Sequence, residues 1–137
     1  MPPQFLVIGH TVQDLSPGQG DDAPAWRLGG TVSYAALLAS RLGLSTAVLT
    51  AAAGDLPIED ALPGVEIVRA PSAHSTQIRN VYGPSGRVQH ILQRATPIRA
   101  DSLPDAWRRA EIVLLGPVPR EVDEALAACF PQALIGV

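Results

Sequence analysis

Short, continuous apolar runs recur along the chain, each bounded by glycine, proline or polar residues. Phe5–Ile8 stops at Gly9, Ser45–Thr50 is rich in Val, Leu and Thr, and Glu111–Gly116 carries Ile-Val-Leu-Leu. Val65–Arg69 and the closing segment Ala133–Val137 read the same way. Runs without polar alternation are the pattern of strands buried on both faces of a parallel sheet. Between the first two lies a different pattern, Leu-Gly-Gly-Thr-Val-Ser-Tyr-Ala-Ala-Leu-Leu-Ala-Ser-Arg-Leu-Gly, from Leu28 to Gly43. It predicts a helix over Thr31–Leu42, with Thr31 as N-cap and Gly43 as the left-handed C-cap. Only Ser33, Ser40 and Arg41 are polar within it, and 33 and 40 share a face, so the helix is expected to lie mostly buried against a sheet. Strand, excursion, helix, strand is the order of a right-handed crossover unit.

Elsewhere the pattern is less apolar. His10–Asp14 extends the first strand with polar residues, Ser16–Pro24 is dense in Pro, Gly and Asp and reads as a loop, and Ala25–Leu28 reads as a short return strand. Pro57 and Pro63 confine any helix in Ala51–Gly64 to about one turn. Ser75–Tyr82 and Arg87–Gln93 flank Gly83-Pro84-Ser85-Gly86, whose Pro and Gly positions fit a type I turn. Ile78, Asn80 and Tyr82 share one face of the first flank, and Val88, His90 and Leu92 share one face of the second. Gln77, Arg79, Gln89 and Gln93 alternate with Ile78, Val88 and Leu92, which predicts a half-open hairpin projecting as a flap. A short helical piece is expected near Pro104–Arg109. A helix from Arg120 is expected to place Val122, Leu126 and Cys129 on a sheet and to end at Pro131.

Composition narrows the classes. A chain of 137 residues with 47% hydrophobic and 17% charged residues has one globular domain's worth of core. A net charge of −3 without a basic run argues against nucleic acid as a partner. All ten cationic residues are Arg, so neither a Walker-A lysine nor a Schiff-base lysine exists here. The lone Cys129 excludes an internal disulfide and a Cys-rich zinc site, and fits a reducing, cytoplasmic location. The first residues lack the basic flank of a signal peptide, and no run reaches the roughly 20 apolar residues of a membrane span.

The chemistry centres on Gly29-Gly30 and the helix they open. Two glycines let main chain approach a ligand closely, and the helix start offers free N–H groups suited to hydroxyl-rich or anionic molecules. The same residues equally describe a tight turn into a core helix with glycine serving packing. Asp14, taken alone, reads as a solvated residue at a loop entry. His10, His74 and His90 lack ligand spacing and read as surface or flap residues, with His10 singled out by its place before Asp14. No metal site is expected. No dinucleotide fingerprint follows the first strand, and no nucleophile elbow is present. Arg79, Arg87 and Arg94 read as a solvated face, with gripping of a phosphorylated substrate as the minor alternative.

Gly29-Gly30 followed by an apolar helix ending Arg41-Leu42-Gly43 resembles the N-terminal signature of the ribokinase-like (PfkB) sugar kinases, and Gly9 followed five residues later by Asp14 resembles the family's first-strand segment. The specific motif covers about fifteen residues, while the order of elements matches over the whole chain. The resemblance implies an α/β fold: a parallel sheet flanked by helices in a Rossmann-type three-layer arrangement, with a small β lid. It implies one domain over residues 1–137, with lid strands around 10–28 and 75–93. It further implies that Asp14 hydrogen-bonds sugar hydroxyls, with Gly29, Gly30, Thr31 and Tyr34 beside it. Ribokinase itself carries Asn, Lys and Asn where this chain has Val12, Thr31 and Tyr34, so ribose is not the expected substrate. Tyr34 is either a stacking or hydrogen-bonding partner of another polyol, or a core aromatic.

The family's catalytic aspartate and anion hole lie in a Gly-Ala-Gly-Asp motif that this chain does not contain. Ala53-Gly54-Asp55 lacks the first glycine and runs into Leu56-Pro57; its position matches the family's Gly-Asp-Asp turn instead. The chain, ending within an apolar strand, is therefore expected to be an incomplete, N-terminal, substrate-binding part of a kinase that phosphorylates a hydroxyl of a sugar, polyol or nucleoside. ATP and Mg²⁺ would bind to the missing part, and a homodimer through the lid is implied. The alternatives are a non-catalytic α/β binding or interaction module and a small nucleotide-binding domain.

Overall fold

The computed structural model describes residues 1–15, 26–116 and 122–137. The expected loop Ser16–Pro24 and the expected helix start at Arg120 lie outside the described residues. In chain order the elements are β1 (Phe5–Ile8), β2 (Val12–Leu15), β3 (Trp26–Gly29), α1 (Thr31–Arg41), β4 (Thr46–Ala52), α2 (Ile58–Ala61), β5 (Glu66–Pro71), β6 (Thr76–Gly83), β7 (Gly86–Gln93), β8 (Ile112–Leu115) and β9 (Leu134–Gly136). The apolar runs all became strands of one parallel sheet, ordered β5-β4-β1-β8-β9. The chain leaves β1 toward β4 and β5, then crosses back to β8. The carboxyl ends of β1 and β8 are therefore a switch point, where open α/β sheets hold ligands.

Strand alternation splits the core into two layers. Val7 and Val48 point to one face, where Val32 and Ala36 of α1 and Ile58 of α2 cover them. Leu6, Ile8, Leu49 and Val113 point to the other. That second face is covered by 3₁₀ turns rather than α-helix: Asp105–Arg109, which buries Trp107, and Glu124–Cys129, which contributes Leu126 ahead of the buried Phe130. The helix expected from Arg120 is thus a short 3₁₀ segment in its described part. Asp123 caps it by accepting a hydrogen bond from Ala125 N–H at 3.0 Å, and Pro131 lies just beyond it. A six-residue segment closed off by a proline is too short for a self-sustaining α-helix.

Helix α1 follows expectation with two changes. Its N-cap is Gly30, at φ 87°, and Thr31 is the first helical residue. Its C-terminus is a Schellman turn: Leu44 N–H donates to Ala39 O, and Gly43, at φ 86°, donates to Ser40 O. Its small residues Ala36 and Ala39 face the sheet beside Val32, and Ser33 is buried with them because its hydroxyl donates to Gly29 O at 2.8 Å. Tyr34, Leu38 and Leu42 are consequently exposed. The outward stripe carries Tyr34 and Leu38 between exposed Thr31 and Arg41, whereas the sequence pattern predicts a polar stripe through Ser33 and Ser40.

The remaining strands form a separate mixed sheet, ordered β3-β2-β6-β7, in which only β2 and β6 run parallel. The hairpin lies here and not beside β8. Gly83 pairs with Gly86 across a two-residue tip, and the ladder holds to Ile78 opposite Ile91. Then Gln77 pairs with Gln93, so Leu92 is one extra residue, a bulge. This register corrects the face assignment. Val88 lies opposite Val81 and not with Ile78, whose partner is Ile91.

The two sheets are tied at the short link after β1. Thr11 N–H donates to Thr50 Oγ1 at 2.9 Å, at the end of β4. His10 is buried at 2% exposure, which corrects its reading as a surface or flap residue. Its Nε2 lies 2.8 Å from Thr96 O and its Nδ1 2.8 Å from Thr76 Oγ1. A carbonyl only accepts, so Nε2 carries the proton and Nδ1 accepts from the Thr76 hydroxyl. Thr76 Oγ1 in turn accepts from Ala95 N–H at 3.0 Å. The imidazole is thereby satisfied in its neutral form, and burial accordingly holds its pKa below the ordinary histidine value, the Thr96 carbonyl opposing and the Arg94 charge assisting.

Candidate functional site

Asp14 sits on β2 opposite Arg27, and its carboxylate lies against Gly29 of β3, whose own partner is Val12. A side chain at Gly29 could not coexist with it: a Cβ there would collide with Asp14 Oδ2 and lie 2.8 Å from Asp14 Cγ. The glycine is the bed on which the carboxylate lies. Gly30 turns the chain from β3 into α1 with its positive φ, and a Cβ there would meet His10 O at 2.9 Å and Val12 Cγ2 at 3.1 Å. The tight approach at both glycines is thus to the protein's own atoms.

Asp14, Gly30, Thr31 and Tyr34 line one cleft of ≈ 470 Å³ between β2, the start of α1 and the hairpin. Gly29 supports it from beneath Asp14. Val12 gives it an apolar floor, fully buried, and Tyr34 stands exposed in its wall rather than in the core. The opposite wall comes from the hairpin: Ile78, Asn80 and Tyr82 of β6, and Arg87 and Gln89 of β7. Gln89 Nε2 donates to Asn80 Oδ1 at 2.9 Å, which fixes that cross-strand pair. Sequence reasoning placed Ile78, Asn80 and Tyr82 on one face but left Arg87 on a solvated one. The signal was available in the two-residue tip, which sets Arg87 opposite Tyr82 and hence on the same face.

The electrostatics centre on Asp14. Its burial pushes its pKa above the ordinary carboxylate value, partly opposed by the Arg87 charge. Among the described residues no side-chain hydrogen bond satisfies the carboxylate. A half-buried acceptor with two oxygens, an aromatic wall, amide side chains and backbone at a helix start can hold a small polyhydroxylated molecule. Asp55, the other acidic residue of interest, lines a separate small polar cleft with His74 and Gln77.

No family model matches the sequence, and no curated protein does. Solved structures do match. A pyrophosphate-dependent kinase in the ribokinase family, complexed with a pyrophosphate analog and myo-inositol, is 26% identical. The match covers 90% of this chain and 44% of that one, with a TM-score of 0.69. The sulfate complex of a pyrophosphate-dependent kinase in the ribokinase family is 27% identical, over 90% and 45% of the two chains, with a TM-score of 0.71. Arabidopsis thaliana ribokinase complexed with ribose and ATP shares the fold at 19% identity, over 98% and 53%, TM-score 0.71. The chain spans about half the length, or less, of each of these structures.

Proposed function

We propose, from the premise that this chain has the N-terminal part of the ribokinase-family (PfkB) fold, that its cleft is the acceptor site of a kinase acting on a hydroxyl of a sugar, polyol or nucleoside. The observation that carries the reading is the Asp14 carboxylate, raised over Gly29 and facing the cleft without a described partner. A carboxylate so placed accepts two hydroxyl protons and fixes the orientation of the ring that bears them. Backbone at Gly30 and Thr31 borders the same space, and Tyr34 offers an aromatic wall. The second sheet acts as a lid, its hairpin wall excluding water from the reacting hydroxyl.

ATP with Mg²⁺ is the proposed donor, supported by the likeness to a ribokinase complexed with ATP. Among the described residues no group of three or more His, Cys, Asp or Glu side chains comes together. The Gly-Ala-Gly-Asp motif is also absent from the sequence, so none of these residues is assigned to the donor. We place the protein in the cytoplasm, which its single cysteine suits; no helix among the described residues is long and apolar enough to cross a membrane. We also propose a homodimer through the lid, supported by the exposed pair Val81 and Val88 on the face opposite the cleft.

The experiment is isothermal titration calorimetry of the chain with myo-inositol, ribose and adenosine. Binding of at least one is expected, lost in Asp14→Asn while circular dichroism stays unchanged. Failure of all three to bind overturns the reading.

A further inference from the structure

The cleft has two ionisable groups of opposite charge in facing walls, Asp14 on β2 and Arg87 on β7. They do not pair: no Asp14–Arg87 ion pair within 4.0 Å is formed among the described residues. Arg87 is held on the cleft side by its register opposite Tyr82, next to the glycine-bounded tip. The rest of that wall is neutral: Asn80 and Gln89 engage one another, and Tyr82 is a phenol. A neutral polyol needs no fixed cation, because amides and backbone suffice for hydroxyls. A guanidinium opposite a carboxylate, with space between them, matches a molecule that offers hydroxyls at one end and an anion at the other.

We infer that Arg87 is a specificity-determining residue and that the molecule bound in this cleft is a polyol carrying an anionic substituent, a phosphate ester or a carboxylate. The inference rests on the acceptor-site reading above. Asp14 takes hydroxyl protons, and Arg87 takes the anion as a bidentate fork. The opposite charges also fix which end of the molecule enters which side of the cleft. The lid thereby selects for charge, while the first strand's extension selects for hydroxyls.

The test compares Kd values for ribose, ribose 5-phosphate and glucuronate, at low and high salt, for the wild type, Arg87→Gln, Arg87→Lys and Asp14→Asn. Binding of ribose 5-phosphate or glucuronate about tenfold tighter than ribose is expected, since a charge-assisted hydrogen bond is worth roughly that factor. Arg87→Gln should erase the advantage, Arg87→Lys should restore part of it, and high salt should narrow it. The phosphate and carboxylate arms distinguish the two anions. Equal binding of ribose and both anions by the wild type, or an anion preference that survives Arg87→Gln, overturns the inference and leaves the acceptor-site reading standing. Absence of binding to all three probes overturns the inference, and overturns the acceptor-site reading too when myo-inositol and adenosine also fail to bind. Weakening of every probe by Asp14→Asn, with the anion preference retained, supports the division of labour.

Discussion

At the scale of single residues, the proposed function and stability pull against each other at Asp14. Its folded pKa is raised by burial. The folded state therefore holds its proton more tightly than the unfolded chain does. Stability from this group is greatest below the ordinary carboxylate pKa and falls as pH rises through the folded value. Asp14→Asn should raise the melting temperature at pH 7 and remove that pH dependence, while abolishing polyol binding; thermal melts between pH 3 and 7 read both. His10 has the opposite sign. Its folded pKa is lowered, so its contribution is complete above the ordinary histidine value and is lost as pH falls below it. Acidification from pH 7 to 5 should lower the melting temperature. Thr76→Val should cost about 1–3 kcal/mol in urea unfolding at pH 7, because it strands both His10 Nδ1 and Ala95 N–H. None of this burial is legible in the sequence, where a lone His after a strand reads as surface. What buries it is contact across 66 and 86 residues of chain.

At the scale of elements, the apolar runs and α1 were legible because their patterns are local. All five runs begin and end within two residues of the observed strands. Capping depends on backbone angles that sequence only suggests, and so the N-cap moved from Thr31 to Gly30. Gly43 offers a clean measurement of such an angle: φ is 86° and a Cβ would meet nothing within 4 Å. Gly43→Ala should therefore cost about 1 kcal/mol by conformational strain alone, read by urea unfolding with an unchanged m-value. The hairpin's existence was likewise legible, and so was the shared face of Ile78, Asn80 and Tyr82, but the bulge at Leu92 was not. Which side chains meet across two strands is set by tip length and bulge, and alternation within one strand says nothing of either.

At the scale of the whole molecule, the order strand, lid strands, Gly-Gly helix, strand, hairpin, strand is enough to recover a two-sheet architecture. The sequence could not show that the lid's inner face would carry Arg87 toward Asp14, because those residues are joined only by tertiary pairing. The proposed acceptor cleft is lined by Asp14, Gly30, Thr31 and Tyr34, while no Gly-Ala-Gly-Asp motif occurs in the sequence. The purified 137-residue chain should thus transfer no phosphate from ATP to myo-inositol, ribose or adenosine. Radiolabelled-phosphate transfer above the no-protein background would contradict this and require a base among the residues already named.

The single extra residue at Leu92 has a consequence for how such a chain can change length. From the tip to Ile91, odd-numbered residues of β7 face the cleft. Past the bulge, Gln93 faces the opposite side and lines the other cleft with Gln77. Leu92 is a parity switch: it lets one strand furnish walls for two clefts on opposite sides of a sheet. Inserting or deleting one residue between Arg87 and Ile91 would exchange wall for exterior, bringing Val88 and His90 inward. Adding two residues to each strand would lengthen the wall and preserve which side chains face the cleft. Among chains that share this cleft, hairpin lengths should differ by even totals, and odd differences should coincide with a gained or lost bulge.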